Sequence, residues 1–154
     1  MTLDYGGATL AGIPRHLMNR LQSVMNATAH LVYKSRKYNH VTHLLRDLHW
    51  LRVPERIQFR LAVLVYRCRH NLAPLYLAND LQWTDESEAL QRLRSGARQQ
   101  LIVPRTRLRT IGDRAFGVAA SRVWNSLSPV VTSASSLPSF KRQLKTFLFK
   151  NSFL

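Results

Sequence analysis

Acidic residues are scarce in this chain. Eight Asp and Glu stand against 23 Lys and Arg, a formal net charge of +15 over 154 residues. Polymerases and nucleases hold two metal ions with clustered carboxylates, and the only adjacent acidic pair is Asp85-Glu86, in a polar stretch with no strand pattern before it. It reads as a solvating pair, and phosphoryl chemistry is not expected. Cysteine is scarcer still: Cys68 stands alone and can make neither an internal disulfide nor a thiolate zinc site, which fits a reducing compartment. On an apolar stripe it reads as a small core residue. Glycine numbers six, and neither Gly6-Gly7 nor Gly12 is followed by the Lys-Ser/Thr of a phosphate-cradling loop. A Gly-x-Ser-x-Gly nucleophile elbow is also missing. No cationic, apolar leader opens the sequence, and the longest unbroken apolar run, residues 61–66, is far too short to span a membrane. The expectation is an intracellular chain, nuclear or cytoplasmic, with no cofactor, no metal and no membrane partner.

What is abundant points to a folded, strongly basic domain. Hydrophobic residues make up 45%, too many for a disordered tail. An excess of cations repels itself in the compact state and calls for a polyanionic partner, most often nucleic acid. Of the 23 bases 18 are arginine, which grips phosphate in a bidentate fork where lysine offers a point charge. Residues 1–77 carry 11 bases and 3 acids, residues 78–90 no base and 4 acids, residues 91–154 12 bases and 1 acid. An acidic, polar insert between two basic blocks reads as a linker. The expected division is a helical region over 1–81, a polar linker over 82–98 and a basic C-terminal segment over 99–154.

Hydrophobic spacing makes the chain mainly α. The strongest stretch runs over residues 54–72, where Pro54 and Glu55 suit a first helical turn. Ile57, Leu61, Leu64, Val65 and Cys68 share one stripe and Phe59, Ala62 and Tyr66 a second, so this helix wants cover on two sides. Arg56, Arg60 and Arg67 fall on the line between them. They are either a phosphate grip or a solvated edge whose stems cover apolar neighbours. Upstream, Pro14 opens an amphipathic helix to about residue 33 that carries Leu17, Leu21, Val24, Met25, Leu31 and Val32. Its end is the basic cluster Lys34-Ser35-Arg36-Lys37-Tyr38-Asn39. These cations either complement the helix dipole or touch a nucleic-acid backbone while Tyr33 or Tyr38 stacks on a base. Thr42 is the expected N-cap of a short helix to 48, and Pro74 starts another to 81. The first half is thus a cluster of about four helices.

Past the acidic insert the texture changes to a small α+β segment. Residues 99–103 have the β-branched density of a short strand. Residues 105–111 alternate at period two, with Arg105, Arg107 and Arg109 on one face, a spacing of roughly 6–7 Å that can follow successive phosphates. Arg94 and Arg98 lie just before them. Helices are expected over 119–127, stopped by Ser128-Pro129, and from Pro138 to about 151, with Phe140, Leu144, Phe147 and Leu148 on one stripe; a Ser-rich loop joins them. His40 and His43 could share a helix face with His49 near in sequence, but without a thiolate or a second carboxylate a zinc site is not expected, and His40 and His49 read as hydrogen-bonded structural residues at a helix start and a turn. Trp50, Trp83 and Trp124 each sit beside leucines and read as packing residues.

Several blocks also occur together in a known family. Leu3-Asp4-Tyr5, Leu10-Ala11-Gly12-Ile13-Pro14, Leu21-Gln22-Ser23-Val24-Met25-Asn26-Ala27, His40-Val41-Thr42, Leu48-His49-Trp50-Leu51, Glu55-Arg56-Ile57 and Leu72-Ala73-Pro74-x-Tyr76-Leu77 follow one another in the first half. Val103-Pro104-Arg105-Thr106-Arg107, Gly112-Asp113-Arg114-Ala115-Phe116, Val123-Trp124-Asn125-Ser126-Leu127 and Phe140-Lys141-x-x-Leu144-Lys145-x-x-Leu148-Phe149 follow in the second. In order and spacing they resemble the region downstream of the polymerase core in non-LTR (LINE-type, jockey-like) retrotransposon reverse transcriptases. The resemblance implies a thumb-like helical part and a C-terminal segment, without the palm's metal-binding aspartates or an endonuclease. No catalytic residue carries over. Gly6 stands where the family usually has Cys, Arg52 and Pro54 look transposed within the common Trp-Leu-Pro-Val-Arg, and Ser128 replaces a frequent Pro.

The expectation is therefore a non-catalytic, retrotransposon-derived fragment that binds RNA or DNA backbone through Arg94, Arg98, Arg105, Arg107 and Arg109. Arg36, Lys37, Tyr38, Arg56 and Arg60 would be secondary contacts. Its rivals are an interaction module that self-associates or docks a partner through apolar surface, and an unselected reading frame with no function.

Overall fold

A proline in the first turn and an acid beside it start the central helix where the sequence puts it. The structure is a computed structural model that describes residues 12–86, 100–105, 107 and 115–154. Among these, seven α-helices follow in order: α1 (Arg15–Val32), α2 (Val41–Asp47), α3 (Val53–Arg69), α4 (Leu75–Asn79), α5 (Phe116–Asn125), α6 (Pro129–Thr132) and α7 (Leu137–Phe153). A 3₁₀ turn, Thr84–Glu86, follows α4. The chain is mainly helical, as expected, and no described helix is long and apolar enough to cross a membrane.

Both apolar sides of α3 are covered. It packs most extensively against α5 and α7, with α1 and α4 adding smaller contacts. Val53, Ile57, Leu61, Ala62, Val63, Val65, Tyr66 and Cys68 are buried. A chain of rings ties the layers: Tyr66 stacks on Phe140 with centroids 4.4 Å apart, Phe140 lies 5.8 Å from Trp124, and Trp124 meets Trp83 edge-on at 5.7 Å. Offset and edge-to-face pairs of this kind add to what area burial alone contributes. Tyr66 Oη donates to the Ala134 carbonyl at 2.9 Å, so the ring can be buried without an orphaned hydroxyl. Trp83 and Trp124 are packing residues, as read from the sequence, at 6% and 2% exposure.

Polar side chains from distant helices finish the helix ends. Gln22 of α1 accepts from the Val53 N–H at 2.8 Å, capping α3 in place of a local residue. Arg46 of α2 donates to the Phe153 carbonyl at the end of α7, 3.0 Å away, and the Arg52 guanidinium lies over the Phe153 ring at 5.3 Å. Thr42 is not the cap of α2. His40 holds that position without a side-chain bond, and the Thr42 hydroxyl accepts from Arg52 at 3.4 Å.

Three helices stop in the same way. Lys34, His49 and Asn71 have φ of 49°, 54° and 57°, and each follows the last residue of a helix C-terminus. In each, the next N–H reaches back to the fifth carbonyl before it: Ser35 to His30 at 3.0 Å, Trp50 to Leu45 at 2.9 Å, Leu72 to Arg67 at 2.7 Å. This left-handed terminus usually takes glycine, and none of the three positions has one.

The short strand expected over 99–103 is not formed. Leu101 makes one antiparallel bridge to Trp83, with Ile102 N–H to the Gln82 carbonyl at 2.8 Å and Thr84 N–H to that of Gln100 at 2.9 Å. Its other edge is already occupied. Asn125 Oδ1 accepts from the Leu101 N–H at 2.9 Å and Asn125 Nδ2 donates to the Leu101 carbonyl at 2.8 Å, so a further strand would find both groups taken. The described residues contain no strand; the alternating stretch 105–111 lies outside them except for Arg105 and Arg107. Residues 82 and 83, where the linker was expected to begin, are tied into this bridge. Ser128-Pro129 stops α5 but also starts α6, inside the stretch read as a loop.

The two ends of the helical pattern differ in cover. On α1 only Met25 and Ala29 are buried, and Leu17, Val24, Leu31 and Val32 are exposed.

Candidate nucleic-acid interface

The arginines divide into those that hold the fold and those that face solvent. Arg46 and Arg52 serve α7 and α2 as described. Arg69 sits 4.4 Å over the Trp83 ring and pairs with Asp85, and at 3.5 Å with Glu86. The acidic pair is thus not merely solvated: it pins Arg69 over the ring chain of the core. Among the described residues no group of three or more His, Cys, Asp or Glu side chains converges. Burial pushes the Cys68 thiol up from its ordinary pKa, keeping it protonated and unreactive.

Of the residues expected to touch nucleic acid, Arg94, Arg98 and Arg109 lie outside the described residues. Arg105 and Arg107 are exposed on irregular backbone just past Leu101. Arg36, Lys37 and Tyr38 are exposed in the turn between α1 and α2, and Tyr38 at 94% has its ring almost wholly in solvent. A ring so placed packs on little among the described residues.

Arg56 and Arg60 are different. Both line a cleft of about 240 Å³ where the α2–α3 connection, α3 and α7 meet. His49, Trp50 and Leu51 form one wall, Phe59 contributes from α3, and Lys145 reaches in from α7. Arg56 Nε donates to the Leu51 carbonyl at 3.0 Å, and its guanidinium lies 5.9 Å from the centre of the Trp50 ring, which fixes where its charge points. The left-handed turn at His49 sends the chain sharply from α2 into α3. It leaves the His49 ring stacked on Phe149 of α7, centroids 5.6 Å apart and 15° between planes. His49 Nδ1 donates to the Asp47 carbonyl at 3.2 Å, so its Nε2 is the nitrogen left for other partners. Arg67, on the same line of α3 in sequence, is exposed and does not line the cleft.

Lys145 was not singled out for contact from sequence. It sits on the polar face of its own helix, and only the packing of α7 against α3 brings it to Arg60. Trp50, read as a packing residue, is partly buried and also presents a surface to the cleft. Three cations from two helices beside an indole and a phenyl ring can attract an anion and stack a flat ring at once. No family model, no curated protein and no solved structure matches the chain.

Proposed function

We propose that the protein is a non-catalytic nucleic-acid-binding module that holds the RNA or DNA backbone through arginine, and that it derives from the post-polymerase region of a non-LTR reverse transcriptase. The observation that carries the binding reading is the convergence of Arg56, Arg60 and Lys145 on one cleft beside Trp50. A net charge of +15 supports it, as do the exposed Arg36, Lys37, Arg105 and Arg107. The origin rests on the order and spacing of the sequence blocks.

Each phosphate neutralised releases counterions, so log K falls with log salt at a slope of about −0.7 per contact on single strands and about −0.9 on duplex. Fluorescence anisotropy with a labelled oligonucleotide across a salt series should therefore show a steep loss of affinity; a flat response defeats the proposal. Replacing Arg105, Arg107 and Arg109 together by alanine should weaken binding evenly across sequences and flatten the slope.

One observation favours a second reading. Leu17, Val24, Leu31 and Val32 on α1 are exposed at 39%, 57%, 79% and 56%, an apolar surface on which a partner or another copy would dock. Light scattering on nuclease-treated protein separates the two: a monomer that still binds oligonucleotide favours the first.

A further inference from the structure

The cleft is too small to enclose a whole organic ligand and can hold one only along one side. Sites that enclose such a ligand occupy roughly 300–1,000 Å³, against about 240 Å³ here. It is also mixed in character, with Trp50, Phe59 and Leu51 offering apolar surface and Arg56, Arg60 and Lys145 offering charge. Duplex nucleic acid offers such a surface its phosphates and base edges but no ring faces, because its bases are paired and stacked inside. An unstacked base, by contrast, exposes a flat ring and carries its phosphate about one sugar away.

The wall is held in place before any ligand arrives. The backbone N–H of Trp50 donates to the Leu45 carbonyl, which fixes the main chain that carries the indole, and Arg56 is held by its bond to the Leu51 carbonyl. Arg60 and Lys145 come from helices packed on each other through a buried core. That core sets how far apart the two helices carry them.

We infer that this cleft takes a single unstacked nucleotide of a single-stranded RNA or DNA, its base against the Trp50 and Phe59 rings and its phosphate toward Arg60 and Lys145. The inference rests on the nucleic-acid reading and adds a preference for single strands to it. Backbone contacts through exposed arginines would not by themselves distinguish a strand from a duplex.

Tryptophan emission reads the site directly. Trp83 and Trp124 are buried, so Trp50 is the indole a base can reach. Titrating the full chain with a short single-stranded oligonucleotide should quench emission to saturation, while the same sequence as a blunt duplex leaves it nearly unchanged. Trp50→Phe should abolish the quench and keep the binding seen by anisotropy. Trp50→Leu should weaken single-strand binding about 5- to 150-fold and duplex binding little. Because Trp50 also packs, Lys145→Ala provides a variant on an exposed position: it should narrow the gap between strand and duplex. Equal quenching by strand and duplex, or salt-dependent binding with no quench at all, overturns the cleft assignment and leaves the backbone reading standing. No binding of any oligonucleotide defeats both. A free nucleoside monophosphate that quenches at the same concentration as the strand would overturn the strand as the ligand.

Discussion

α1 and α3 are of nearly equal length, 18 and 17 residues, yet α3 buries eight side chains and α1 two. Both carry apolar residues at helical spacing, and α1 divides polar from apolar more cleanly. What separates them is neighbours. α3 packs against α5 and α7 and, less extensively, α4 and α1, whereas among the described residues the main contacts of α1 are with the short α2 and with α3. A periodic pattern says which face of a helix wants cover; how much cover it receives is decided elsewhere in the chain.

The widest contrast should come from truncating one leucine in each helix. Leu61→Ala removes a side chain 2% exposed and should cost about 2–5 kcal/mol. Leu31→Ala, at a position 79% exposed, should stay within about 0.5 kcal/mol. Urea denaturation followed by circular dichroism measures both, and equal losses would break the comparison. A smaller effect sharpens it inside α3. Tyr66→Phe keeps the ring stack but leaves the Ala134 carbonyl without its donor, a loss of about 1–3 kcal/mol. The smallest effect is a gain at the helix ends. Lys34→Gly, at the end of α1, relieves a left-handed backbone that costs an ordinary residue roughly 1–2 kcal/mol, partly offset by the freer unfolded chain. Asn71→Gly, at the end of α3, should gain less, because asparagine tolerates that conformation. A thermal melt that ranks the two the other way would show that something besides φ governs these ends.

Much of α3 and α7 is readable from sequence because proline near each start coincides with a sustained apolar stripe. Helix ends are harder to read. The usual glycine signal is missing at Lys34, His49 and Asn71, so the left-handed turns leave no trace in composition. The strand expected around Leu101 misled for another reason: β-branched density describes the segment, but Asn125, well downstream, occupies the edge a ladder would need. Arg69 shows the limit of charge counting. Its partners Asp85 and Glu86 look like solvated linker until the fold brings them to Trp83. The candidate cleft was half visible. Arg56 and Arg60 lie four apart on one helix, and that spacing is local; Lys145 joins them only through tertiary packing, which no window of sequence reports.

Placing α7 against α3 also has a consequence for how the chain acquires its shape. Phe140 and Leu144 seal one side of the central helix, and Arg46 of α2 pairs with the carbonyl of Phe153, made 107 residues later. Until those late residues emerge during synthesis, Leu61, Val65 and Tyr66 lack part of their cover, and a nascent chain of this kind exposes its most adhesive surface longest. Among the described residues, then, the cover of the central helix is completed from the far side of the sequence.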